Sequence, residues 1–190
     1  MHLVNDAVMG DLAQTVTPQG LLAVCGFVDV PLESAITARS RLVAILANVR
    51  DPGNAGTVLR TADAAGAGAV IFADASVDPY NSKCVRASAG SIFHLPVTVN
   101  VKLTDVIQRA RENGLTVLAA DGTAGTTLDQ ADLSEPTAWL FGNEAWGLPK
   151  ELRDQADGVV AVPIYGKAES LNLATAAAVC LYASAHAHVR

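Results

Sequence analysis

The sequence predicts an α/β fold with a mostly parallel sheet and helices on both faces. From residue 41 onward, short apolar runs of strand length alternate with segments of helical periodicity, which is the pattern of βαβ units. Aromatic residues make up only 5% of the chain and glycine is frequent, so small side chains favour close packing of helices on a sheet. A chain of 190 residues is long enough to bury one substantial core.

The first βαβ unit is the clearest. Residues 41–47 (RLVAILA) form a short apolar run typical of a buried parallel strand. After a turn-rich loop, residues 54–65 have apolar side chains at helical spacing, and Gly66 stands where a helix commonly ends. Residues 69–72 then form a second apolar strand. A crossover of this kind is nearly always right-handed.

The alternation continues to the end of the chain, whereas residues 1–35 differ. In that first stretch we expect one strand over residues 21–27, with no neighbouring strand to pair with it. Beyond it, the patterns predict helices over 81–89, 103–113, 149–154 and 171–186, and strands over 95–99, 115–120, 138–141 and 159–164.

Charge and composition restrict the possible functions. The formal net charge is −6, which argues against a broad phosphate-binding surface, so any contact with a nucleic acid must be local or assisted from elsewhere. No apolar run reaches the ~18 residues that a membrane span needs. The three cysteines lack metal-ligand spacing and are odd in number, and no signal peptide is evident. We therefore expect a cytoplasmic protein with no metal and no membrane contact.

The first stretch with chemical character is NVRDPGNAGTVLRTA, residues 48–62. A strand enters a glycine-containing turn and then a helix, whose first amides favour an anion. A dinucleotide-binding turn is an alternative, with Asp74 as the ribose-binding acid, but Gly53 and Gly56 match G-x-G-x-x-G only in part. Arg60 lies either near the rim of the sheet, where ligands of α/β proteins bind, or in an ordinary surface salt bridge.

The second stretch is WLFGNEAWGLPKEL, residues 139–152. Its two glycines, Gly142 and Gly147, allow a close approach of the backbone to a flat ligand, and Glu144 lies between them. A simple turn with a solvated glutamate is the alternative. Trp146 argues against it, because a tryptophan in so short a polar loop needs a packing partner.

The third stretch covers residues 162–178, where a strand stops at Pro163, passes Gly166 and enters a helix. Ser170 is a candidate N-cap, and in the alternative interpretation it only caps the helix and takes no part in the chemistry. Asn172 would lie in the first helical turn. The three loops follow strands of one sheet and should converge on one rim. Their amides, carboxylate, hydroxyl and arginine suit group transfer by positioning rather than covalent or metal catalysis.

These stretches together carry a family resemblance. The motif N-x-G-x-x-x-R-x-A is present as Asn54, Gly56, Arg60 and Ala62; G-N-E-x-x-G-L is present from Gly142 to Leu148; and P-x-x-G-x-x-x-S-L-N is present from Pro163 to Asn172. In this order and spacing they resemble the SpoU (TrmH-like) RNA 2′-O-ribose methyltransferases of the SPOUT class. The resemblance covers residues from about 40 to 187.

The resemblance implies a C-terminal trefoil knot, S-adenosylmethionine bound in that knot, and a homodimer that completes the active site. It assigns the central catalytic role to Arg60, assisted by Asn54, Glu144, Ser170 and Asn172. Cofactor binding, largely through backbone groups, maps onto Leu118, Ala119, Ala120, Asp121, Gly142, Asn143, Gly147, Ile164 and Leu171. Because a guanidinium keeps its proton in proteins, Arg60 should hold a phosphate and stabilise developing oxyanion charge rather than act as a base.

The resemblance also extends to domain organisation and partners. Residues 1–35 are similar to the tail of an L30e-like RNA-binding domain with its linker, and residues 36–190 to the catalytic domain. Ribosomal RNA is favoured over transfer RNA, with a non-catalytic RNA-binding protein or a nicotinamide-dependent oxidoreductase as alternatives. Five cationic side chains either form a local phosphate-facing patch or are ordinary surface charges: Arg50, Lys83, Arg86, Lys150 and Lys167.

Overall fold

A seven-stranded sheet forms the centre of the structure, a computed structural model that describes residues 2–13, 15 and 17–189. The strands are β1 (Leu42–Ala47), β2 (Ala69–Ala73), β3 (Val97–Val101), β4 (Thr116–Ala120), β5 (Thr126–Thr127), β6 (Thr137–Phe141) and β7 (Gly158–Ala161). They lie in the order β3-β2-β1-β6-β4-β7-β5, and all paired neighbours are parallel. The predicted α/β class is confirmed, whereas the trefoil knot stays a prediction.

Helices cover both faces of this sheet, as the sequence predicted. They are α1 (Asp6–Ala13), α2 (Leu32–Ala35), α3 (Pro52–Ala64), α4 (Ser82–Ser88), α5 (Leu103–Glu112), α6 (Lys150–Arg153) and α7 (Leu173–Val189), with a 3₁₀ turn at Ser91–Phe93. One core lies beneath α3, α4 and α7, and the other beneath α2 and α5. Within the part of the chain described, none of these helices combines the length and apolar character required to cross a bilayer.

The strand β1 shows how the sequence fills both cores. All six of its side chains are buried. Successive side chains of a strand point to opposite faces, so Leu42, Ala44 and Leu46 join the core beneath α3 and α7, while Val43, Ile45 and Ala47 join the other. This explains the continuous apolar run in the sequence, because a strand buried on both faces has no polar side to alternate with.

The helix α3 begins two residues before the predicted start. Pro52 occupies its first turn, and the Asp51 side chain caps it by accepting hydrogen bonds from the amides of Gly53 (2.6 Å) and Asn54 (3.0 Å). The helix ends before Gly66, whose φ of +75° is the left-handed conformation predicted for that glycine.

The strand order creates a reversal at the centre of the sheet. From β1 the chain builds outward through β2 and β3, and α5 then carries it back across the sheet to β4. β6 inserts between β1 and β4, and β7 lies on the far side of β4. Because all these strands are parallel, the loops that follow β1, β4, β6 and β7 meet at one edge, where α/β proteins bind their ligands.

Four sequence predictions about local structure are wrong in existence or extent. The strand predicted over 95–99 is displaced by two residues, to Val97–Val101. Residues 21–27 form no strand, because no neighbouring strand offers hydrogen bonds to them. The two residues that follow this stretch, Val28 and Asp29, donate backbone hydrogen bonds to the hydroxyl of Tyr80 instead. The strand predicted over 159–164 ends at Ala161, where its pairing with β5 stops. Pro163, two residues later, has no amide hydrogen with which to continue the pairing. The last helix starts at Leu173 rather than residue 171.

Candidate active site

The carboxylate of Glu144 forms the centre of the candidate site. It lies in the loop after β6 and accepts hydrogen bonds from the backbone amides of Arg50 (3.2 Å) and Asp51 (3.0 Å), just before α3. It also accepts one from the side-chain amide of Asn54 at 3.3 Å. Free amides at a helix N-terminus are a good environment for an anion, so this side chain joins the second motif to the first.

A side-chain amide extends this connection to the third motif. Nδ2 of Asn172 donates to Oδ1 of Asn54 at 3.0 Å, and Nδ2 of Asn54 donates in turn to Glu144. Oδ1 of Asn172 accepts from the amides of Ala174 (2.9 Å) and Thr175 (3.4 Å) and thereby caps α7. We call this series of hydrogen-bonded side chains, Asn172–Asn54–Glu144, the motif relay. It brings together one predicted site residue from each of the three sequence motifs.

The hydrogen bonds at Glu144 favour its ionised form. Burial is the largest single influence on the Glu144 carboxyl and opposes its ionisation. Hydrogen bonds from its own amide, from the amides of Asp51 and Arg50 and from Asn54 together outweigh burial and hold the pKa of Glu144 below its ordinary value. Glu144 is therefore a permanent anion near neutral pH, suited to orienting its neighbours rather than to exchanging a proton.

The loop after β6 is held in a fixed shape. Asn143 and Gly147 exchange two backbone hydrogen bonds of 3.0 and 2.9 Å, which close the loop around Glu144. The side chain of Asn143 donates to the carbonyl of Asn48 at 2.8 Å and so ties the loop to the end of β1. A Cβ at Gly142 would lie only 2.6 Å from the carbonyl carbon of Gly147, so only glycine fits there.

A cleft of about 150 Å³ opens beside the motif relay. Most of the residues predicted to bind the cofactor line it: Ala120, Asp121, Gly142, Asn143, Gly147, Ile164 and Leu171. The structure places the other two elsewhere. Leu118 and Ala119 lie within β4, and their side chains are buried in the two cores on opposite faces of the sheet.

The acidic side chains that line the cleft differ in their bonding. Asp121 lies 2.9 Å from the guanidinium of Arg153 and accepts hydrogen bonds from the amide and hydroxyl of Thr123. Burial raises the pKa of Asp121 most strongly, but the bonds from Thr123 and Arg153 outweigh it and lower the pKa overall. Glu169 forms no hydrogen bond or ion pair with any described residue, so its carboxylate is available to a ligand.

Two predicted catalytic residues, Arg60 and Ser170, are not part of the motif relay. Arg60 is exposed on α3, outside the cleft, and its guanidinium forms no ion pair within the described part of the chain. Ser170 lines the cleft and is exposed. The interpretation of Ser170 as the N-cap of the last helix is wrong, because Asn172 performs that role two residues later.

The sequence patterns missed the apolar wall of the cleft. This wall consists of Phe141, Val160, Val162, Leu173 and Ala176. Phe141 ends β6, Val160 lies next to the last residue of β7, and Leu173 and Ala176 are one turn apart at the start of α7. Their positions at strand ends and at a helix start are the signal that could have identified them.

These residues fit S-adenosylmethionine, the predicted cofactor. The molecule combines a flat adenine with a positively charged sulfonium and an ammonium group. The apolar wall suits the base, and Asp121 and Glu169 suit the cationic part. Among the described residues, no group of three or more histidine, cysteine, aspartate or glutamate side chains is arranged to hold a metal ion.

Solved structures with the same fold include cofactor-bound methyltransferases. An AdoMet-bound rRNA methyltransferase from Sinorhizobium meliloti superposes with a TM-score of 0.84 at 33% identity, covering 96% of this chain and 70% of that one. The SpoU methyltransferase AviRb from Streptomyces viridochromogenes, in complex with AdoMet, has a TM-score of 0.75 at 32% identity, covering 82% and 61%.

Proteins of similar sequence are named as methyltransferases of ribosomal RNA. The 23S rRNA (guanosine(2553)-2′-O)-methyltransferase RlmP of Bacillus subtilis is 38% identical over 181 residues, which is 95% of this chain and 71% of that protein. The 23S rRNA (guanosine-2′-O-)-methyltransferase RlmB of Bordetella pertussis is 36% identical over 143 residues, 75% of this chain and 58% of that protein. The chain thus spans well under the full length of these relatives.

The fold, the motif relay and the cleft define an S-adenosylmethionine-dependent RNA methyltransferase domain. The model of the SpoU rRNA Methylase family matches residues 41–182. The chain belongs to the SpoU rRNA Methylase family, as its three motifs predicted. This membership sets aside the nicotinamide-dependent oxidoreductase, which left the second and third motifs without a role.

Proposed function

We propose that this chain methylates the 2′-hydroxyl of a guanosine ribose in the RNA of the large ribosomal subunit. The observation that carries the proposal is the motif relay, which orders Asn54, Glu144 and Asn172 at the mouth of a cleft suited to the cofactor. The choice of ribosomal RNA and of guanosine rests on the names of the relatives from Bacillus subtilis and Bordetella pertussis.

The proposed mechanism is positioning with electrostatic stabilisation. Bound S-adenosylmethionine supplies an electrophilic methyl group. Glu144 fixes the start of α3 through the amides of Arg50 and Asp51, and Asn54 and Asn172 fix the loop that enters α7. Arg60 holds a phosphate beside the target ribose and stabilises the negative charge that develops on its 2′-oxygen. The hydroxyl proton passes to a phosphate oxygen or to water, and the thioether S-adenosylhomocysteine is the leaving group. Ser170, at the mouth of the cleft, binds the ribose through its hydroxyl.

A homodimer accounts for the position of Arg60. The guanidinium is exposed and lies outside the cleft of its own subunit. Large apolar side chains close to the cleft are also exposed, among them Trp146 at 65% and Tyr165 at 91%. Burial of such side chains is a driving force for association. In the proposed dimer, the surface around Trp146 and Tyr165 is covered, and Arg60 of each subunit reaches the cleft of the other.

Methyl transfer to isolated ribosomal RNA tests the activity. Purified protein, tritiated S-adenosylmethionine and unmodified 23S rRNA should give a labelled 2′-O-methylguanosine after nuclease digestion, with transfer RNA as the control substrate. Label in transfer RNA alone would reassign the substrate. Saturable binding of S-adenosylmethionine with no label in either RNA would leave the non-catalytic RNA-binding protein as the better interpretation.

Subunit complementation tests the shared site. Arg60→Ala and Glu144→Gln should each reduce transfer strongly. If Arg60 acts in the cleft of the other subunit, mixed dimers of the two variants contain one site with both residues intact, and activity returns on mixing. If each site draws both residues from one subunit, the mixture stays as inactive as the separate variants.

Three further assignments are part of the proposal. A division between an L30e-like segment and the catalytic domain is supported by the family match, which starts at residue 41, and by α1, which has no buried residues. The predicted boundary at residue 35 is less well supported, because α2 is buried in one core with α5, which favours a boundary before residue 32. A cytoplasmic location is supported by the three cysteines, all of which are free thiols. The phosphate-facing patch draws on exposed cations near the site: Arg50, Lys83, Arg86, Lys150 and Lys167.

A further inference from the structure

One side of α3 forms a seam with α4. Gly53, Gly56, Arg60 and Asp63 recur at three- and four-residue spacing and therefore lie on one stripe of the helix. A Cβ at Gly53 would lie 3.0 Å from the side chain of Lys83, and Gly56 packs directly against the backbone of α4. Arg60 thus lies on the stripe that faces α4, exposed at the surface of the seam.

The far end of this seam presents an exposed aromatic ring. His94 Nδ1 lies 2.8 Å from Asp63 Oδ2, which ties the 3₁₀ turn to α3. Within the turn Ser91 and Ile92 are buried, whereas Phe93 is 61% exposed. Backbone hydrogen bonds from Phe93 to Gly90 and from His94 to Ser91, both 3.0 Å, hold the turn rigid. The backbone of this turn therefore holds Phe93 at the surface, next in sequence to the exposed His94.

Cationic side chains border the seam in a chain whose net charge is negative. Lys83 pairs with Asp51 at 3.1 Å, but both side chains are about half exposed, so the pair is weak and a phosphate can compete for the lysine. Arg60 and Arg86 are exposed and form no ion pair with the residues that the structure describes. The seam therefore offers Lys83 at one end, Arg60 further along and a flat apolar ring at the far end, which is a combination that binds single-stranded nucleic acid.

We propose that the RNA strand next to the target nucleotide follows this seam and that Phe93 stacks on one of its unpaired bases. Arg60 contacts the phosphate nearest the reacting ribose, and Asp63 lies about 5 Å further along the helix axis, so Phe93 meets a base close to the target. Phe93 is then a specificity residue that selects unpaired RNA at that position. The inference rests on the proposed function, since it requires RNA as the substrate.

Binding of a fluorescent RNA to the full chain tests the inference. The probe is a short unstructured oligoribonucleotide, compared with the same sequence annealed into a duplex. Phe93→Leu keeps an apolar side chain but removes the aromatic face, and Phe93→Trp restores one. We expect Phe93→Leu to weaken single-strand binding by roughly 5- to 150-fold, the equivalent of one lost stacked base, and to leave duplex binding unchanged. Phe93→Trp should bind as the wild type does.

Other readouts separate the possible failures. Single-strand binding that is the same for the wild type and for Phe93→Leu would overturn the inference, as would a changed oligomeric state of Phe93→Leu in sedimentation, which would place the ring at a subunit contact. Affinity for S-adenosylmethionine should be unaffected. A wild-type protein that binds single strands through Phe93 but methylates no ribosomal RNA would refute the proposed function and leave the stacking contact in place.

Discussion

The replacement Glu144→Gln tests the motif relay most directly. In the wild type, Oε1 accepts hydrogen bonds from the amide of Asp51 and from Asn54, and Oε2 accepts one from the amide of Arg50. Glutamine has the same shape but only one oxygen. If that oxygen keeps the bonds to Asp51 and Asn54, the new NH₂ group faces the N–H of Arg50, and two donors then oppose each other.

The size of the effect follows from these contacts. A hydrogen bond to a charged group contributes about 1.5 to 3 kcal/mol where water is excluded, and exposure reduces such values. Water reaches this carboxylate in part. We therefore expect Glu144→Gln to destabilise the ordered conformation of the loop after β6 by about 1 to 2 kcal/mol. If cofactor binding requires the ordered loop, the Kd for S-adenosylmethionine rises by roughly 5- to 30-fold.

Calorimetric titration with S-adenosylmethionine measures this shift, and hydrogen exchange of the Arg50 and Asp51 amides locates it. Glu151→Gln is the matched control, because it removes the same charge from an exposed position on α6, outside the cleft. An unchanged Kd together with unchanged protection of both amides would refute the structural role given to Glu144. A shift of equal size in Glu151→Gln would assign the effect to net charge alone.

The pH dependence gives an independent check with a definite sign. The pKa of Glu144 in the folded protein is below its ordinary value of 4.5, so the carboxylate stabilises the fold fully above that value. The contribution is lost as the pH falls through the lower, folded-state pKa. Stability curves of the wild type and Glu144→Gln should therefore run parallel at neutral pH and converge in acid, whereas a constant difference at all pH values would contradict the lowered pKa.

Three other substitutions have expected outcomes of their own. Gly142→Ala should cost about 1 to 3 kcal/mol in urea unfolding and weaken S-adenosylmethionine binding, because the new Cβ meets the backbone of Gly147; wild-type affinity would contradict that close approach. Glu169→Gln should weaken S-adenosylmethionine severalfold but not 5′-methylthioadenosine, which lacks both cationic groups; equal losses for the two ligands would remove the electrostatic role. Ser184→Ala should lower the free energy of unfolding by about 1 to 3 kcal/mol, because it deprives the buried indole N–H of Trp139 of its 2.9 Å hydrogen-bond partner, and a neutral result would show that the indole finds another acceptor.

The sequence was most informative where periodicity and local chemistry agree. The apolar run at residues 41–47 and the helical spacing before Gly66 predicted β1 and α3 to within two residues. The capping residues were harder to assign. Serine and asparagine are both good N-caps, so the pattern alone could not decide between Ser170 and Asn172; the choice depends on the path of the preceding loop along the cleft.

Local patterns could not predict how the site residues bond to one another. The motifs identified Asn54, Glu144 and Asn172, but the hydrogen bonds that join them span 90 and 118 residues of sequence. Nor could they show that Arg60 lies outside the cleft, because helical spacing fixes the face of α3 on which it lies but not what that face meets. The missing information is tertiary, and it resides in the strand order of the sheet.

The long span of the motif relay has a consequence for biosynthesis. A chain emerging from the ribosome folds its earlier segments first, yet Asn54 obtains its bond to Asn172 only after 118 further residues have been made. The ligand cleft needs the same late segment, since Leu171, Leu173 and Ala176 form part of its lining. Chains that stop before this segment should therefore gain little stability from S-adenosylmethionine, whereas chains that contain it are stabilised when the cofactor binds.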